Sequence, residues 1–329
     1  GKSNLIDAIY FLSFTKSHNN VIDSMNIRHG EDVMMIKGEY DIDGVREVIS
    51  CGMKLHHKKQ FRRGDKAYKR MSEHIGLLPL IIVTPNDHEL IIGGSENRRR
   101  FLDSVISQYN PDYLHNLQRY NKALQQRNSL LKSEDPPLNE LLEAYEDVMA
   151  ETGELIFSER NRFVNEFTPV FDEYYKRISH TDEEAKVEYL SHCQRGSLLD
   201  IIRKDRYKDL AVGFSLHGIH KDDIVMTLNG YPIKKEGSQG QAKTYLISLK
   251  LAQFNFLKQT GSHTKPLLLL DDLFDKLDAS RVENIVELVS QEDFGQIFIT
   301  DTNKDNLQQI LSGKQGEYKI FHVKGGTIS

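Results

Sequence analysis

The segment Pro266–Asp272 reads PLLLLDD, four consecutive leucines followed by two carboxylates. An uninterrupted run of large apolar residues is typical of a strand buried on both faces, as in a parallel sheet. The aspartates follow at the carboxyl end of that strand, where open α/β sheets place their ligands. Because neighbouring carboxylates are costly to bury without a cation or a proton, the segment predicts an α/β fold with a cation-dependent site. A buried strand that ends in a solvated turn is the alternative.

A second ligand-binding pattern opens the chain, which begins GKSNLIDAI. Gly-Lys-Ser directly before an amphipathic helix is the second half of a Walker A phosphate loop, and we expect the rest of the loop to lie upstream. Unpaired N–H groups at a helix start attract phosphate, Lys2 would reach the β- and γ-phosphates, and the Ser3 hydroxyl would bind Mg²⁺. The predicted nucleotide contacts are Gly1, Lys2, Ser3 and Asn4. A helix after a chance Gly-Lys pair would show the same letters.

A third pattern, GSQGQ, occupies Gly237–Gln241 and precedes a strongly amphipathic helix. A serine hydroxyl, exposed N–H groups and a glycine that permits close approach suit a phosphate. On its own the motif also fits a plain capped helix. The predicted contacts are Ser238, Gln239, Gly240 and Gln241.

The order of these three motifs resembles that of ABC-type ATPases. The resemblance implies that Asp271 holds Mg²⁺ and that Asp272 positions the attacking water. Asp272 stands where a glutamate is usual, so slower hydrolysis is implied. It also implies that the GSQGQ motif binds the γ-phosphate held by the opposite subunit, and that Asp278 of a D-loop-like DKLD lies at the dimer seam. Asp301-Thr302 stands where transporters carry a switch histidine, so the contact that this histidine makes with the γ-phosphate is not implied for this chain.

Further segments resemble the RecF family more closely than ABC ATPases at large. They are GKSNLIDAIYFLS from Gly1, TPND at Thr84–Asp87, NRRRFLD at Asn97–Asp103, GIHKDD at Gly218–Asp223 and LLLLDDLFDKLD from Leu267. The resemblance implies a cytoplasmic, weak DNA-dependent ATPase of recombinational repair and replication that uses ATP and Mg²⁺. It further implies an ATP-dependent homodimer on gapped or junction DNA, working with RecR and RecO and indirectly with RecA. The alternatives are another SMC-like ATPase of the Rad50 or RecN kind and a non-hydrolysing DNA-binding scaffold.

The predicted fold is a P-loop ABC-type (SMC/Rad50-like) ATPase core with an added β-subdomain and an inserted helical arm. Residues 1–104 and 206–329 are assigned to the ATPase domain, and residues 105–205 to the helical arm (domain II). Apolar residues at helical spacing predict one helix up to residue 131 and a longer one after the break at 133–137. These helices could also simply pack on the core. Their heptads are too irregular for a long coiled coil.

Composition limits the remaining possibilities. The 329 residues are 39% hydrophobic, enough for a full core and for two domains rather than one. The net charge of −5 means that nucleic acid must be bound by a local basic face. Cys51 and Cys193 form no disulfide framework or zinc pattern, and the apolar runs 77–83 and 267–270 are too short to span a bilayer.

A local basic face is present between Lys54 and Arg70, where only Asp65 opposes eight basic residues. Gly64-Asp65 predicts a hairpin turn that places the charges along two strands. We predict structure-selective contacts to DNA phosphates from Lys58, Lys59, Arg62, Arg63, Lys69 and Arg70. A solvated edge hairpin, on which lysine blocks aggregation, is the alternative. Within Arg98–Arg100 we expect one or two arginines to pair with carboxylates as scaffold, and we expect His220 to be structural.

Overall fold

The computed structural model describes residues 1–135, 137–260, 264–272, 283–285, 287–289, 294–301 and 318–328. Its helices are α1 (Lys2–Phe14), α2 (Glu89–Ile92), α3 (Ser95–Tyr109), α4 (Pro111–Leu131), α5 (Asn139–Ser179), α6 (Leu198–Lys204), α7 (Arg206–Val212), α8 (Ile233–Glu236) and α9 (Gln239–Gln259). Its strands are β1 (Val33–Ile42), β2 (Val45–Lys54), β3 (Gln60–Arg63), β4 (Lys66–Ala67), β5 (Leu80–Val83), β6 (Ala185–Leu190), β7 (Asp223–Leu228), β8 (Tyr231–Pro232), β9 (Leu267–Asp271), β10 (Ile297–Thr300), β11 (Val323–Lys324) and β12 (Thr327–Ile328).

The chain divides into two compact units. One consists of Gly1–Asp87 and Gln253–Ser329, and the other of His88–Ala252. The domain boundaries predicted after residues 104 and 205 stay a prediction. The predicted D-loop residue Asp278 lies outside the described residues.

A parallel sheet in the order β10-β9-β5 forms the centre of the first unit. The leucine strand β9 lies in the middle, and Leu268, Leu269 and Leu270 are buried. This confirms the strand predicted from the leucine run, and β10 pairs beside it. Because all three strands run the same way, their carboxyl ends share one edge of the sheet.

Helix α1 is buried on two sides, which fixes its first turn in place. Ile6, Tyr10 and Phe14 pack against the parallel sheet at Leu269 and its neighbours. Phe11 and Leu12 pack in a second apolar cluster, which includes residues of the antiparallel sheet β1-β2-β3-β4. That four-stranded sheet is the predicted β-subdomain.

The basic segment forms the predicted hairpin. Strands β3 and β4 pair antiparallel, with Arg63 opposite Lys66. Gly64 between them has a φ of +56°, a conformation that glycine adopts without steric cost. The prediction of a turn at Gly64-Asp65 is therefore confirmed.

The second unit contains the long helices. Both predicted helices are confirmed, as α4 and as the 41-residue α5, with the break between them. The carboxyl half of α5 carries a row of buried phenylalanines, Phe163, Phe167 and Phe171. Phe171 meets Tyr245 of α9 edge-on, with 4.6 Å between ring centroids. Strands β6, β7 and β8 form an antiparallel sheet in this unit. Within the described ranges, the molecule has no helix that is both long and apolar enough to cross a membrane.

Candidate nucleotide site

The start of α1 and the end of β9 converge in the first unit. The Ser3 hydroxyl donates a hydrogen bond to Asp271 Oδ1 at 3.3 Å. Lys2 Nζ donates to the backbone oxygen of Asp301 at 2.5 Å, just beyond β10. The Gly-Lys-Ser turn and the carboxylate pair are separated by most of the sequence, yet the fold brings them together as predicted.

The first turn of α1 is open to an anion. Gly1 is the N-cap and provides no side-chain cap, and no acidic residue lies in the first turn. Gly1, Ser3 and Asn4 are exposed, whereas the residues of the helix from Ile6 onward are buried or half-buried. Amide groups at such a helix start lack intrahelical partners and favour negative charge.

Thr300 holds the Asp271 carboxylate and the Asp272 backbone, a role that the sequence did not reveal. Its Oγ1 donates to Asp271 Oδ1 at 2.5 Å and accepts from the backbone N–H of Asp272 at 3.1 Å. Thr300 lies opposite Asp271 in the β9–β10 register. A β-branched residue at the end of a buried strand looks like ordinary strand sequence, and only the pairing register shows that its hydroxyl meets the carboxylate.

Asp272 has an unsatisfied oxygen. Its Oδ1 is buried and has no hydrogen-bond partner among the described residues, and its backbone is left-handed, with a φ of 51°. A buried carboxylate oxygen without a partner carries a large desolvation penalty. Hydroxyl and carboxylate oxygens are the ligands that Mg²⁺ prefers, so Ser3, Asp271 and Asp272 fit a magnesium site.

The GSQGQ motif forms a reciprocal cap at the start of α9, in the second unit. Ser238 Oγ accepts from the Gln241 backbone N–H at 3.1 Å, and Gln241 Oε1 accepts from the Ser238 N–H at 2.9 Å. Ser238 and Gln239 are exposed, and Gly240 is half-buried. The helix expected after the motif is thus present with its first turn capped, and the serine lies on the surface.

The basic segment separates into paired and solvent-facing charges. Lys59 forms an ion pair with Asp23 at 2.7 Å and also donates to a backbone oxygen. Arg63 donates through Nε and Nη2 to the two carboxylate oxygens of Glu47 on the neighbouring strand. Asp65 is therefore not the only opposing acid, because the fold brings Asp23 and Glu47 to the segment. The remaining predicted DNA contacts are exposed, namely Lys58, Arg62, Lys69 and Arg70.

The RRRFLD and GIHKDD segments meet in a buried ionic network in the second unit. Arg98 binds both carboxylate oxygens of Asp223, at 2.6 and 2.9 Å. Arg99 donates to the backbone oxygen of Asp222 at 2.8 Å, whereas Arg100 pairs on the surface with Glu96. Two of the three arginines therefore serve as scaffold, as expected.

Arg160 of α5 is at the centre of this network and is 1% exposed. It binds Asp222 at 2.9 Å, Asp103 at 2.8 Å and the Tyr113 hydroxyl at 2.9 Å. Burial raises the pKa of Asp222, and the nearby Arg160 opposes that rise. A buried guanidinium with several acceptors fixes the elements that supply them.

His220 is structural, as expected. Its Nδ1 meets the Tyr120 hydroxyl at 2.8 Å and its Nε2 meets the backbone oxygen of Ser215 at 3.0 Å. Burial lowers the pKa of His220 to about 4, so the ring is neutral near pH 7. A neutral ring donates through one nitrogen and accepts through the other, which matches its two partners.

Comparison with solved structures defines the class of protein. An Smc head domain with an extended coiled coil from Pyrococcus furiosus superimposes with a TM-score of 0.52 at 15% identity, covering 94% of this chain and 82% of that one. At that identity the likeness concerns the fold alone. Together with the converging Gly-Lys-Ser turn and strand-end carboxylates, it defines a P-loop ATPase fold of the ABC and SMC type.

More specific relatives show the family. The DNA replication and repair proteins RecF of Bacteroides fragilis and Bacteroides thetaiotaomicron are 56% and 57% identical over 100% of this chain and 89% of their own length. The recombination mediator protein RecF bound to ATP in the RecFOR pathway matches with a TM-score of 0.85 at 30% identity, over 93% of this chain and 84% of that one. No protein-family model matches. The chain belongs to the RecF family.

Proposed function

We propose that this protein is an ATP-dependent DNA-binding protein of recombinational repair and replication that dimerises around ATP. The observation that supports this most strongly is the hydrogen bond between Ser3 and Asp271, which joins the phosphate-loop turn to the carboxylate strand. ATP-bound relatives of the same fold support nucleotide as the ligand.

Each residue of the site has a distinct part in the proposal. Lys2 exchanges the Asp301 carbonyl for the β- and γ-phosphates, while the amide groups of the first turn of α1 bind phosphate oxygens. Ser3 and Asp271 would hold Mg²⁺, which would supply positive charge to polarise and neutralise the phosphate. Asp272 accepts a hydrogen bond from the attacking water. Hydrolysis is weak, because the aspartate side chain is one methylene shorter than the usual glutamate.

The proposed site is completed by a second copy of the chain. Ser238 is exposed at the start of α9, where its hydroxyl and the neighbouring Gly240 can contact a γ-phosphate held by the partner. Because each copy would contribute half of each site, the free energy of nucleotide binding favours assembly of the dimer. Hydrolysis would then release it, as in other nucleotide switches. Asp278 is proposed to lie at the dimer seam.

DNA is proposed to lie on the exposed part of the basic segment. Of the exposed residues Lys58, Arg62, Lys69 and Arg70, one lysine and one arginine, Lys69 and Arg70, are replaced by glutamine. This change should weaken DNA binding and reduce its dependence on salt, since each phosphate contact releases counterions. The matched control replaces the ion-paired Lys59 and Arg63 in the same way, with a smaller effect on the salt slope. Equal slopes in the two variants would exclude this surface as the DNA contact. We also propose that the protein acts at gapped or junction DNA in the cytoplasm. There it would work with RecR and RecO in support of RecA loading.

The proposal is tested by the mass of the full-length protein in solution, with and without ATP and gapped DNA. We expect a monomer without nucleotide, a dimer with ATP, and a longer-lived dimer when DNA is also present. Lys2→Ala should abolish the nucleotide-dependent dimer. A mass that does not change with ATP would reject the half-site arrangement, and a dimer without phosphate release would favour the non-hydrolysing scaffold.

A further inference from the structure

The side chain of Gln241 links the GSQGQ motif to the end of the long helix α5. Its Oε1 accepts from the Ser238 N–H at 2.9 Å, and its Nε2 donates to Glu183 Oε1 at 2.7 Å. Glu183 lies in the turn between α5 and β6. The amide of Gln241 is therefore engaged at both ends, by the serine of the motif and by a carboxylate from a different element.

Glu183 is itself held in one position. Its Oε2 accepts from the Tyr175 hydroxyl at 3.0 Å and from Thr181 Oγ1 at 3.1 Å. Tyr175 is fully buried and packs edge-on against Tyr245 of α9, with 6.1 Å between ring centroids. Tyr245 in turn donates to the backbone oxygen of Lys186 at 2.7 Å. The carboxylate is thus fixed by the same aromatic packing that joins α5 to α9.

The chemistry of Glu183 determines which way the Gln241 amide faces. An ionised carboxylate only accepts hydrogen bonds, whereas an amide has one donating and one accepting end. Glu183 must therefore face the Nε2 of Gln241, which leaves Oε1 for the N–H of Ser238. A flipped amide would place two oxygens against each other and its NH₂ group against the Ser238 N–H.

We infer that Glu183 is a positioning residue for the GSQGQ motif, which sets the orientation of Ser238 through Gln241. This inference rests on the proposed function, in which Ser238 contacts the γ-phosphate held by the partner. Glu183 need not touch nucleotide. It fixes the serine in the orientation that the phosphate requires, and it connects the end of α5 to that orientation.

The test uses the full-length protein with Glu183→Ala, Glu183→Gln and Ser238→Ala. Glu184→Ala is the matched control, because this neighbouring glutamate is exposed and meets Asn229 through its backbone N–H. Hydrolysis at saturating ATP should fall roughly tenfold in Glu183→Ala, the loss expected for one hydrogen bond to a charged group. Glu183→Gln keeps an accepting oxygen and should lose only about threefold. Nucleotide affinity of the monomer should be unchanged in both, and Glu184→Ala should match the unsubstituted protein.

A double variant separates positioning from a purely structural role. In the Ser238→Ala background, Glu183→Ala should cause no additional loss, since it acts through that serine. A further loss there, or a parallel fall in monomer affinity, would overturn the inference. Unchanged hydrolysis in Glu183→Ala would also overturn it. If the alanine variant does not fold, unchanged hydrolysis in Glu183→Gln would overturn it instead. Full activity of Ser238→Ala would instead reject the proposed function, and the inference with it.

Discussion

Two clusters of charged residues, one in each compact unit, differ in how completely their charges are matched. Around Arg160 in the second unit, Asp103 and Asp222 are bound by the guanidinium, and Tyr113 also contacts it. At the end of β9 in the first unit, Asp271 and Asp272 lie side by side, and neither forms an ion pair with a cation among the described residues. Asp222 Oδ1 and Asp272 Oδ1 are both buried without a hydrogen-bond partner there, so the presence of a cation is what separates the two clusters.

The difference separates scaffold from ligand site. A buried charge with a matching partner fixes the elements around it, and removing one member leaves the other uncompensated. A buried carboxylate without a cationic partner destabilises the ligand-free protein. A cation that binds there relieves this penalty, which makes its binding more favourable. The Arg160 network is therefore expected to govern stability, and the carboxylate pair to govern activity.

The largest effect should come from breaking the matched cluster. Arg160→Met leaves Asp103 and Asp222 without their cation and should lower the free energy of unfolding by about 3–5 kcal/mol, measured by urea denaturation. Arg162 on the same helix is the control, because its side chain is 46% exposed and one of its two partners, Glu166, is 48% exposed. Arg162→Met should cost less than about 1 kcal/mol. Equal losses would mean that the buried network is not a scaffold.

Acid should destabilise the second unit through His220, whose folded pKa is lowered to about 4 by burial. Between the unfolded value near 6.5 and about 4, the unfolded state binds a proton that the folded state does not. The free energy of unfolding should therefore fall as pH falls through this range, by roughly 3 kcal/mol from this residue. Denaturation of His220→Gln across the same range should show a shallower pH dependence. An unchanged slope would contradict a neutral, buried ring.

Neutralising Asp272 in the carboxylate pair should change activity much more than stability, the reverse of the effect expected for Arg160→Met. Asp272→Asn keeps the shape of the side chain, and asparagine tolerates the left-handed backbone found here. We expect the free energy of unfolding to stay the same or rise by up to about 1 kcal/mol, while ATP hydrolysis falls about 100-fold. Thermal unfolding and phosphate release measure the two effects. A large loss of stability would place Asp272 with the scaffold residues.

The smallest effect is expected at Thr300, which joins the Asp271 carboxylate to the backbone N–H of Asp272. Thr300→Val removes the donor to Asp271 and should cost about 1–2 kcal/mol of stability, with slower hydrolysis. Thr300→Ser restores the hydroxyl and should recover most of both. If valine and serine behave alike, the hydroxyl does not orient Asp271.

Patterns local in sequence predicted their part of the molecule well. The leucine run, the Gly-Lys-Ser turn and the Gly64-Asp65 hairpin each depend on neighbouring residues, and the structure has all three. The rule that ligands gather at the carboxyl ends of parallel strands predicted a site at the two aspartates, and the resemblance to ABC-type ATPases implied that the Gly-Lys-Ser turn meets them there.

Pairing between distant residues was much less visible. Arg160 looks like a surface charge on a long helix, and its burial depends on Asp103 and Asp222 from other elements. Lys59 likewise looked free until the fold supplied Asp23 as its partner. Glu183 could not be found, because only tertiary packing places it beside Gln241.

The most direct test of the shared site is to mix two full-length variants of low ATPase activity, Lys2→Ala and Ser238→Ala. Alone, each should form only sites that lack one essential residue. In a mixed dimer, one site combines the intact Lys2 of one subunit with the intact Ser238 of the other, so ATP hydrolysis should appear on mixing that neither variant shows alone. If the mixture stays as inactive as its components, or if Ser238→Ala is active by itself, two copies of the chain do not share the nucleotide in this way.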